Sequence, residues 1–415
     1  MEKLTFTIDG YSFSTAFNTA AKREQCAEKI LSITGRHYSW YKENTGNKNW
    51  ILYDTEQYEV RNFDDIKYLV LNNRLMDVKT FLCVRRDFKG KLHLPINAST
   101  CSFMFVDSNV PEIDLTEFDT TNVVDMDYMF LEANLGDCLS LVSSTITQAN
   151  TPDRNILTLN TEGVISMSGM FKDCKVKHLD LRNLRTDNVT DFSDMFCSCN
   201  DLIDLNVDGF DTSKAKDFHG MFQGCIKLTQ LNVKHFNVDN VLHMSCLFSR
   251  CLRLKVINLE SWDFSQVSDA NEMFAYCEKL EKIIANFNFK MIKEMAFMFC
   301  YCTKLSKVDL SHSDLSHVFD FGYAFFKCEG LKEIRFSPGV WRKAKYALSM
   351  FDNCKALERL NLPDVVLDDV VRSYAMFDDC DSLKEIYMEH PLNLEKYAHG
   401  LIFGNCKAEV KKSTE

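Results

Sequence analysis

One pattern of apolar positions recurs about every 26 residues from about residue 92 to the C-terminus. Each copy is centred on Met-Phe or a close variant, followed three residues later by a small residue and then by x-x-Leu-x-x-Leu/Ile-x-apolar. The end of this phrase alternates apolar and polar positions, which is typical of a short strand. Successive Phe residues lie 25 or 26 residues apart, with one gap of 41, at Phe105, Phe130, Phe171, Phe196, Phe222, Phe248, Phe274, Phe299, Phe325, Phe351, Phe377 and Phe403.

The period predicts a solenoid. A unit of about 26 residues cannot bury these apolar positions alone, but stacked copies place each Phe over the previous one at the strand spacing of about 4.8 Å. The small residue after the Phe is Ser108 and Ala133 in the first two modules. In the last ten modules it is a cysteine, and we name these the ladder cysteines: Cys174, Cys199, Cys225, Cys251, Cys277, Cys302, Cys328, Cys354, Cys380 and Cys406.

The repeat resembles a known family. The segment from Phe196 to Phe222 reads Met-Phe-x-x-Cys-x-x-Leu-x-x-Leu-x-Val, then Phe-Asp-Thr-Ser, and is similar to the bacterial surface-protein repeat of the BspA-like leucine-rich repeats. The resemblance covers about residues 92 to 410. It implies an α/β repeat fold, a right-handed leucine-rich-repeat solenoid with a parallel sheet on one face, used for binding proteins or host surfaces.

The chain divides into two units and a tail. Residues 1–90 lack the repeat and form a predicted small α/β head that caps the solenoid, with strands at 4–8, 50–53 and 78–84 and helices at 14–34 and 64–74. Residues 91–410 form the solenoid of about twelve repeats, in which residues 131–155 are a polar insertion expected to be a surface loop. Residues 411–415 are a polar tail.

Composition and charge exclude some classes of function. The net charge of -11 argues against a general binder of nucleic acid or anionic membranes. Up to residue 91 the chain carries 15 Lys and Arg against 12 Asp and Glu, whereas the remainder carries 33 against 47. No long uncharged apolar stretch predicts a spanning helix, and the N-terminus has no signal-peptide core. We therefore expect a cytoplasmic protein, with the cell surface as the alternative that the family resemblance suggests.

The sequence predicts no catalytic, cofactor or metal site. No two Cys-x-x-Cys pairs stand at zinc-ligand spacing, and buried thiols that act as small apolar residues are the preferred interpretation of the ladder cysteines. The ten His residues fall at different phases of the repeat instead of converging. No Gly-x-Ser-x-Gly, His-Glu-x-x-His or phosphate-loop phrase is present. We expect a protein that is not an enzyme.

The candidate binding site is the concave face of the predicted sheet. Ile284, Arg335 and Tyr387 depart from a row of amides and acids, and Tyr and Arg often dominate binding energy. We predict a protein-binding scaffold whose acidic face favours a protein partner with a basic patch, without direct nucleic-acid binding or a membrane span. The predicted partner-binding residues are Asp180, Asn206, Asn232, Asn258, Ile284, Asp309, Arg335, Asn361 and Tyr387.

Two alternatives remain open from the sequence. The head could be the active unit of an effector or inhibitor, for example in a conflict between phage and host, with the solenoid as its targeting arm. The aromatic residues that suggest such a role are Tyr38, Trp40, Tyr41, Trp50, Tyr53 and Tyr58. The other alternative is an exported adhesin, which a leader in the native gene would favour.

Overall fold

The computed structural model describes most of the solenoid and part of the head. The described residues are 4–8, 11–15, 20–42, 50–56, 58–60, 82–92, 94, 99–115, 118–142, 155–341, 343–362, 374–388 and 402–412.

In its described residues, the head combines antiparallel strand pairs with a helix. Strand β1 pairs with β2, β3 with β4, and β5 with β6. Helix α1 ends where Gly35, at φ +73°, donates its N–H to the Leu31 carbonyl over 2.8 Å. The bounds are β1 Leu4–Ile8, β2 Tyr11–Thr15, α1 Ala20–Thr34, β3 Tyr38–Lys42, β4 Trp50–Asp54, β5 Tyr58–Val60 and β6 Leu82–Val84.

The head predictions differ from the structure at the first helix. Ser14, predicted to begin that helix, lies in β2, because residues 11–15 pair with β1 in a hairpin. The predicted strands at 4–8 and 50–53 are present as β1 and β4. The predicted helix at 64–74 lies outside the described residues, as do residues 78–81 of the third predicted strand.

The repeats form a parallel solenoid, as the sequence predicts. From β7 onward every assigned strand pair is parallel, and the later modules, except the one between β12 and β13, each have one short strand at the equivalent position. The strands are β7 Gly90–Lys91, β8 Ile113–Asp114, β9 Cys138–Val142, β10 Asn155–Thr158, β11 His178–Asn183, β12 Asp204–Asn206, β13 Val256–Leu259, β14 Lys282–Ala285, β15 Lys307–Leu310, β16 Glu333–Phe336, β17 Arg359–Leu362, β18 Glu385–Met388 and β19 Glu409–Lys412.

Residues 82–92 pack against the first module of the solenoid. The Val84 N–H donates to the Met104 carbonyl over 2.7 Å, and the Leu92 N–H donates to the Asp114 carbonyl over 2.9 Å. Val84 and Leu92 are fully buried in the same core as the repeats. Backbone pairing and apolar packing therefore continue from the head side into the first module, so that the stacked apolar surface is covered there.

The predicted insertion has the wrong boundaries. Residues 138–142, predicted to lie in a surface loop, form β9, the sheet strand of the second module, because Leu139 and Leu141 alternate into the core. The chain then returns as β10, which pairs with β9 on the side away from β11 and adds an extra strand. The tail boundary differs as well, since residues 411 and 412 belong to β19.

A single stack of twelve Phe rings forms the centre of the core. Consecutive ring centroids lie 5.2 to 5.7 Å apart, including the pair Phe130 and Phe171 on either side of the insertion. All twelve side chains are fully buried. Each contributes roughly 1.5–3 kcal/mol through burial, and offset stacking adds about 0.5–1.5 kcal/mol for each pair. The predicted ladder is confirmed.

Two tight turns hold each Phe in place. In the seventh module the Met273 N–H bonds to the Ala270 carbonyl and the Cys277 N–H to the Phe274 carbonyl, and Glu272 and Tyr276 occupy the left-handed region at φ +55° and +61°. In each of the first eleven modules the residues two before and two after the ladder Phe have positive φ. A non-glycine residue in this conformation costs about 1–2 kcal/mol, so the double turn needs compensation.

Hydrogen bonds between modules supply that compensation. The N–H groups of Glu272, Phe274 and Tyr276 donate to carbonyls of the next module over 2.9, 2.8 and 2.6 Å. The same three donors recur in most modules. Each module is therefore hydrogen-bonded to the next at its two left-handed residues and at the Phe between them. Buried backbone groups are thereby satisfied along this side of the solenoid.

The ladder cysteines do more than fill space. They are buried, as expected, but nine thiols also donate to the carbonyl of the ladder Phe in the preceding module, with Sγ–O distances of 2.7 to 3.2 Å. Burial raises the pKa of these thiols, to about 12 for Cys277. They therefore stay protonated and keep the proton that the hydrogen bond uses.

Replacing a central ring tests the ladder. Phe274→Ala should lower the free energy of unfolding by about 3–5 kcal/mol, because it leaves a cavity between two stacked rings. Urea unfolding followed by circular dichroism measures the change. The control is Ile203→Ala, at a side chain that is 42% exposed, where we expect less than about 0.5 kcal/mol. Equal losses in the two variants would contradict the ladder as the main source of stability.

Candidate functional site

The predicted binding residues occupy the equivalent strand position in successive modules. We name the outward-facing side chains of β11 to β18, with the equivalent residues of the module between β12 and β13, the sheet face. The strand register pairs Asp180 with Asn206, Asn258 with Ile284, Asp309 with Arg335, and Asn361 with Tyr387. Asn232 lies between β12 and β13, where its amide donates to Asp208 over 2.8 Å. The row predicted from the repeat phase is therefore present.

The amides and acids of this row help to end the strands. A side-chain oxygen of Asn206, Asn258 and Asp309 accepts the backbone N–H two residues further on, over 3.0 Å in each case. Asp180 makes the same contact at 3.3 Å and also holds the Arg182 guanidinium over 2.8 to 3.1 Å. These residues are explained in part by local turn formation.

Arg335 and Tyr387, two of the residues that differ from the amides and acids of the row, lie among ion pairs that connect neighbouring strands. Arg335 contacts Glu333 over 2.7 Å, and its side chain remains 58% exposed. The Tyr387 hydroxyl donates to Glu385 over 3.0 Å, and the same carboxylate accepts Lys411 over 2.6 Å and Arg359 over 3.0 Å. Ile284 is a half-buried aliphatic side chain in an otherwise polar row. These groups are held in place yet remain accessible.

The expectation that the sheet face is acidic is wrong. Charges of opposite sign pair from one module to the next along it, as in Lys234 with Glu260 at 3.0 Å and Lys307 with Glu333 at 3.2 Å. Such cross-strand pairs stabilise a sheet by about 0.2–1 kcal/mol each. The acidic surplus lies elsewhere, because the sequence pattern shows which residues share a module but not which side of the solenoid collects their charge.

The acids are concentrated on the side that carries the Met-Phe turns. We name this side the turn wall and define it as the eight residues from five before to two after each ladder Phe, such as residues 100–107. In the first eleven modules its described residues include fifteen Asp and Glu against three Lys and Arg. The acidic surplus of the turn wall is therefore as large as that of the whole chain, whose net charge is -11.

One column of the turn wall is a ladder of parallel bridges. It joins residues of successive modules from Thr100 to Tyr346, and six of its ten members are acidic. Asp191 and Asp217 accept backbone N–H groups two residues on, over 2.9 and 2.8 Å. Acidic side chains thus satisfy the backbone at the start of the turns, which is a structural reason for their recurrence.

Asp127 is the most perturbed carboxyl of this wall. Burial, with the neighbouring Asp125 carboxylate, raises its pKa to about 6. Hydrogen bonds from the Ser166 hydroxyl and the Ser168 N–H, at 2.5 and 2.8 Å, favour the charged form but do not cancel this effect. Burial raises the pKa of Asp217 as well. Ionisation of these carboxyls on the turn wall therefore lowers the stability of the folded state.

The described residues offer no assembled catalytic or metal centre. His219 Nδ1 lies 2.7 Å from the Ser245 hydroxyl, but no described carboxylate bonds to its other ring nitrogen. Within the described part of the chain, no three His, Cys, Asp or Glu side chains are grouped to hold a metal ion. The aromatic residues of the head lie on or near β3, β4 and β5, and their side chains are mostly outside the described residues.

The sequence reasoning missed the aromatic residues of the turn wall. Tyr276, Phe297, Tyr301 and Tyr323 occupy left-handed positions two residues before or after a ladder Phe, and neighbouring modules bring them into contact. The signal was present as aromatic residues at a fixed distance from the Met-Phe pairs. Only the turn geometry, however, shows that the side chains at these positions contact one another across modules.

Comparisons with known proteins extend over the repeats. The sequence profile of a family described as "Mycoplasma protein of unknown function, DUF285" matches residues 96–151, 142–230, 165–287, 243–354 and 277–390. A solved structure of a leucine rich cell surface protein from Faecalibacterium prausnitzii is similar at 14% identity and a TM-score of 0.28, covering 68% of this chain and 89% of that chain. No curated protein matches the chain. None of the described helices is long and apolar enough to cross a membrane.

The raised pKa of Asp127 predicts a pH-dependent stability. The folded state binds a proton more tightly than the unfolded state, so stability falls as the pH rises from about 4 to above about 6. Asp127→Asn removes this ionisation and should stabilise the protein at pH 7.5 by about 1–3 kcal/mol, with little effect near pH 4. Urea unfolding at several pH values measures the difference.

The matched control for this prediction is Asp239→Asn, at an exposed carboxyl outside the wall. A stability difference for Asp127→Asn that is the same at pH 4 and pH 7.5 would contradict the proposed burial of charge.

Proposed function

The chain belongs to the family described as "Mycoplasma protein of unknown function, DUF285", and we propose that it is a non-enzymatic scaffold that binds a protein partner through the sheet face. Its resemblance to BspA-like leucine-rich repeats is confirmed, and the solenoid supplies an extended, rigid surface. Concave or flat repeat surfaces of this kind are used for binding other macromolecules.

The observation that carries the proposal is the arrangement of Ile284, Arg335 and Tyr387. They occupy the same strand position in three modules, and the first and last are four modules apart, which is about 19 Å at the usual strand spacing. Arg335 and Tyr387 are each held by a neighbouring carboxylate, so little side-chain freedom is lost on binding. An aliphatic, a cationic and an aromatic contact are thereby presented together.

Site-specific photo-crosslinking in the native cell tests this surface. A crosslinking amino acid at position 361, between Arg335 and Tyr387, should capture a partner, because that side chain is exposed at the centre of the proposed site. Arg335→Ala combined with Tyr387→Ala should reduce the captured product at least about tenfold, as expected for two binding hot spots. Mass spectrometry identifies the product and measures its amount.

The control places the same crosslinker at position 239, which is exposed outside the sheet face. Capture of the same product from both positions, or capture from position 361 that the double substitution leaves unchanged, would exclude the sheet face as the binding site.

We also propose that the protein acts inside the cell. The nine thiols that donate to Phe carbonyls support this location, since a disulfide between neighbours would remove two of these donors. Protease treatment of intact native cells should leave the chain whole, whereas treatment of lysed cells should cleave it. Cleavage on intact cells would instead support the exported adhesin.

A further inference from the structure

Five aromatic side chains form a partly exposed cluster on the turn wall. Tyr276 stacks on Tyr301 with ring centroids 4.9 Å apart, and Phe297 stacks on Tyr323 at 4.7 Å. Phe326 joins the two stacks, edge-on to Tyr301 at 5.5 Å and to Tyr323 at 5.4 Å. All five side chains are partly exposed. We name this cluster the aromatic patch.

Cations close the ends of one stack. The Arg250 guanidinium lies 4.9 Å from the Tyr276 ring centroid, and the Lys327 ammonium lies 4.9 Å from that of Tyr301. Cation–π contacts of this kind are worth about 0.5–1 kcal/mol at exposed sites. The faces of these two rings are therefore occupied within the protein, and their edges are left as the accessible part of the stack.

The backbone makes the patch rigid. Tyr276, Phe297, Tyr301 and Tyr323 all have φ between +56° and +61°. Their N–H groups donate to carbonyls of the next module over 2.6 to 2.9 Å. The same left-handed positions recur in each of the first eleven modules, so the repeat itself fixes these four residues. The aromatic rings are thus presented at fixed positions before any partner binds, which lowers the entropy lost on binding.

Acidic residues surround the patch. Asp269, Glu294 and Asp320 belong to the column of parallel bridges on one side of the patch. Glu272 has the same turn position as Phe297 but in the preceding module, and Asp352 has the same position as Phe326 but in the following module. All five acids are partly exposed. An aromatic centre with a charged rim is the usual composition of a protein interface.

We propose that the aromatic patch is a second docking surface, which takes a protein segment whose apolar or aromatic residues are flanked by Arg or Lys. The apolar residues pack against the ring edges, and the basic residues meet the acidic rim, because opposite potentials across an interface favour association. This surface lies in the turns and does not share residues with the sheet face, so the two proposals stand or fall separately.

Selection from a random-peptide phage library on the full-length protein tests the proposal. Enriched peptides should combine an apolar or aromatic centre with flanking basic residues. Binding of a synthetic enriched peptide should weaken at least about tenfold in Tyr301→Ala combined with Phe326→Ala. It should weaken about three- to tenfold in Glu272→Gln combined with Asp320→Asn, and also when salt is raised.

Two controls separate binding from folding. Phe103→Ala combined with Tyr128→Ala removes an equivalent stack, with centroids 5.0 Å apart, at the other end of the wall, and should leave peptide affinity unchanged. Arg335→Ala combined with Tyr387→Ala should also leave it unchanged.

The charge variant tests the proposal even if the aromatic variant is unstable. The Asp320 carboxylate accepts the Gly322 N–H over 2.7 Å, and the amide oxygen introduced by Asp320→Asn can accept the same N–H. This substitution therefore removes the negative charge while it keeps an acceptor for the turn.

Several results would overturn the proposal. They are a selection without enriched peptides, peptides that lack basic residues, and peptide affinity that the patch and rim variants leave unchanged. Affinity lost equally in the Phe103 and Tyr128 variant would show a general effect of the turn wall and would also overturn it.

Discussion

The double turn around each Met-Phe pair is the constraint on which the rest of this structure depends. Two residues per module are held in the left-handed region, and the backbone hydrogen bonds of the next module keep them there. Between them the Phe is directed inward, onto the rings above and below. Strain, hydrogen bonding and aromatic stacking are thereby coupled in one motif, so that each turn is stabilised by the module that follows it.

This coupling also explains the cysteine. The Phe carbonyl at the start of the second turn accepts the backbone N–H three residues further on and, in nine cases, the cysteine thiol of the next module. A thiol is small and apolar enough for the core yet retains one weak donor. The cysteine surplus therefore serves packing and hydrogen bonding between modules.

The same geometry separates two surfaces of different chemistry. On the sheet face, side chains of opposite charge alternate between modules and pair, so that this face has no large acidic field. On the turn wall, acids accumulate at the starts of the turns, and burial, with the neighbouring Asp125 carboxylate, raises the pKa of Asp127. The aromatic patch interrupts this acidic surface. A partner would therefore meet a mixed polar sheet on one side and a rigid apolar centre with an acidic rim on another.

The sequence by itself determined the period, the Phe ladder and the row from Asp180 to Tyr387, because each depends on residues that recur in phase and that a strand or stack must repeat. It misplaced the insertion, since the short alternation at 138–142 is not distinguished from a polar loop without its neighbour β11. Only the tertiary structure decided which side collects the acids and how Tyr276 meets Tyr301. Those contacts join residues about 25 positions apart through left-handed turns, and a pattern of apolar and polar positions does not encode the sign of φ.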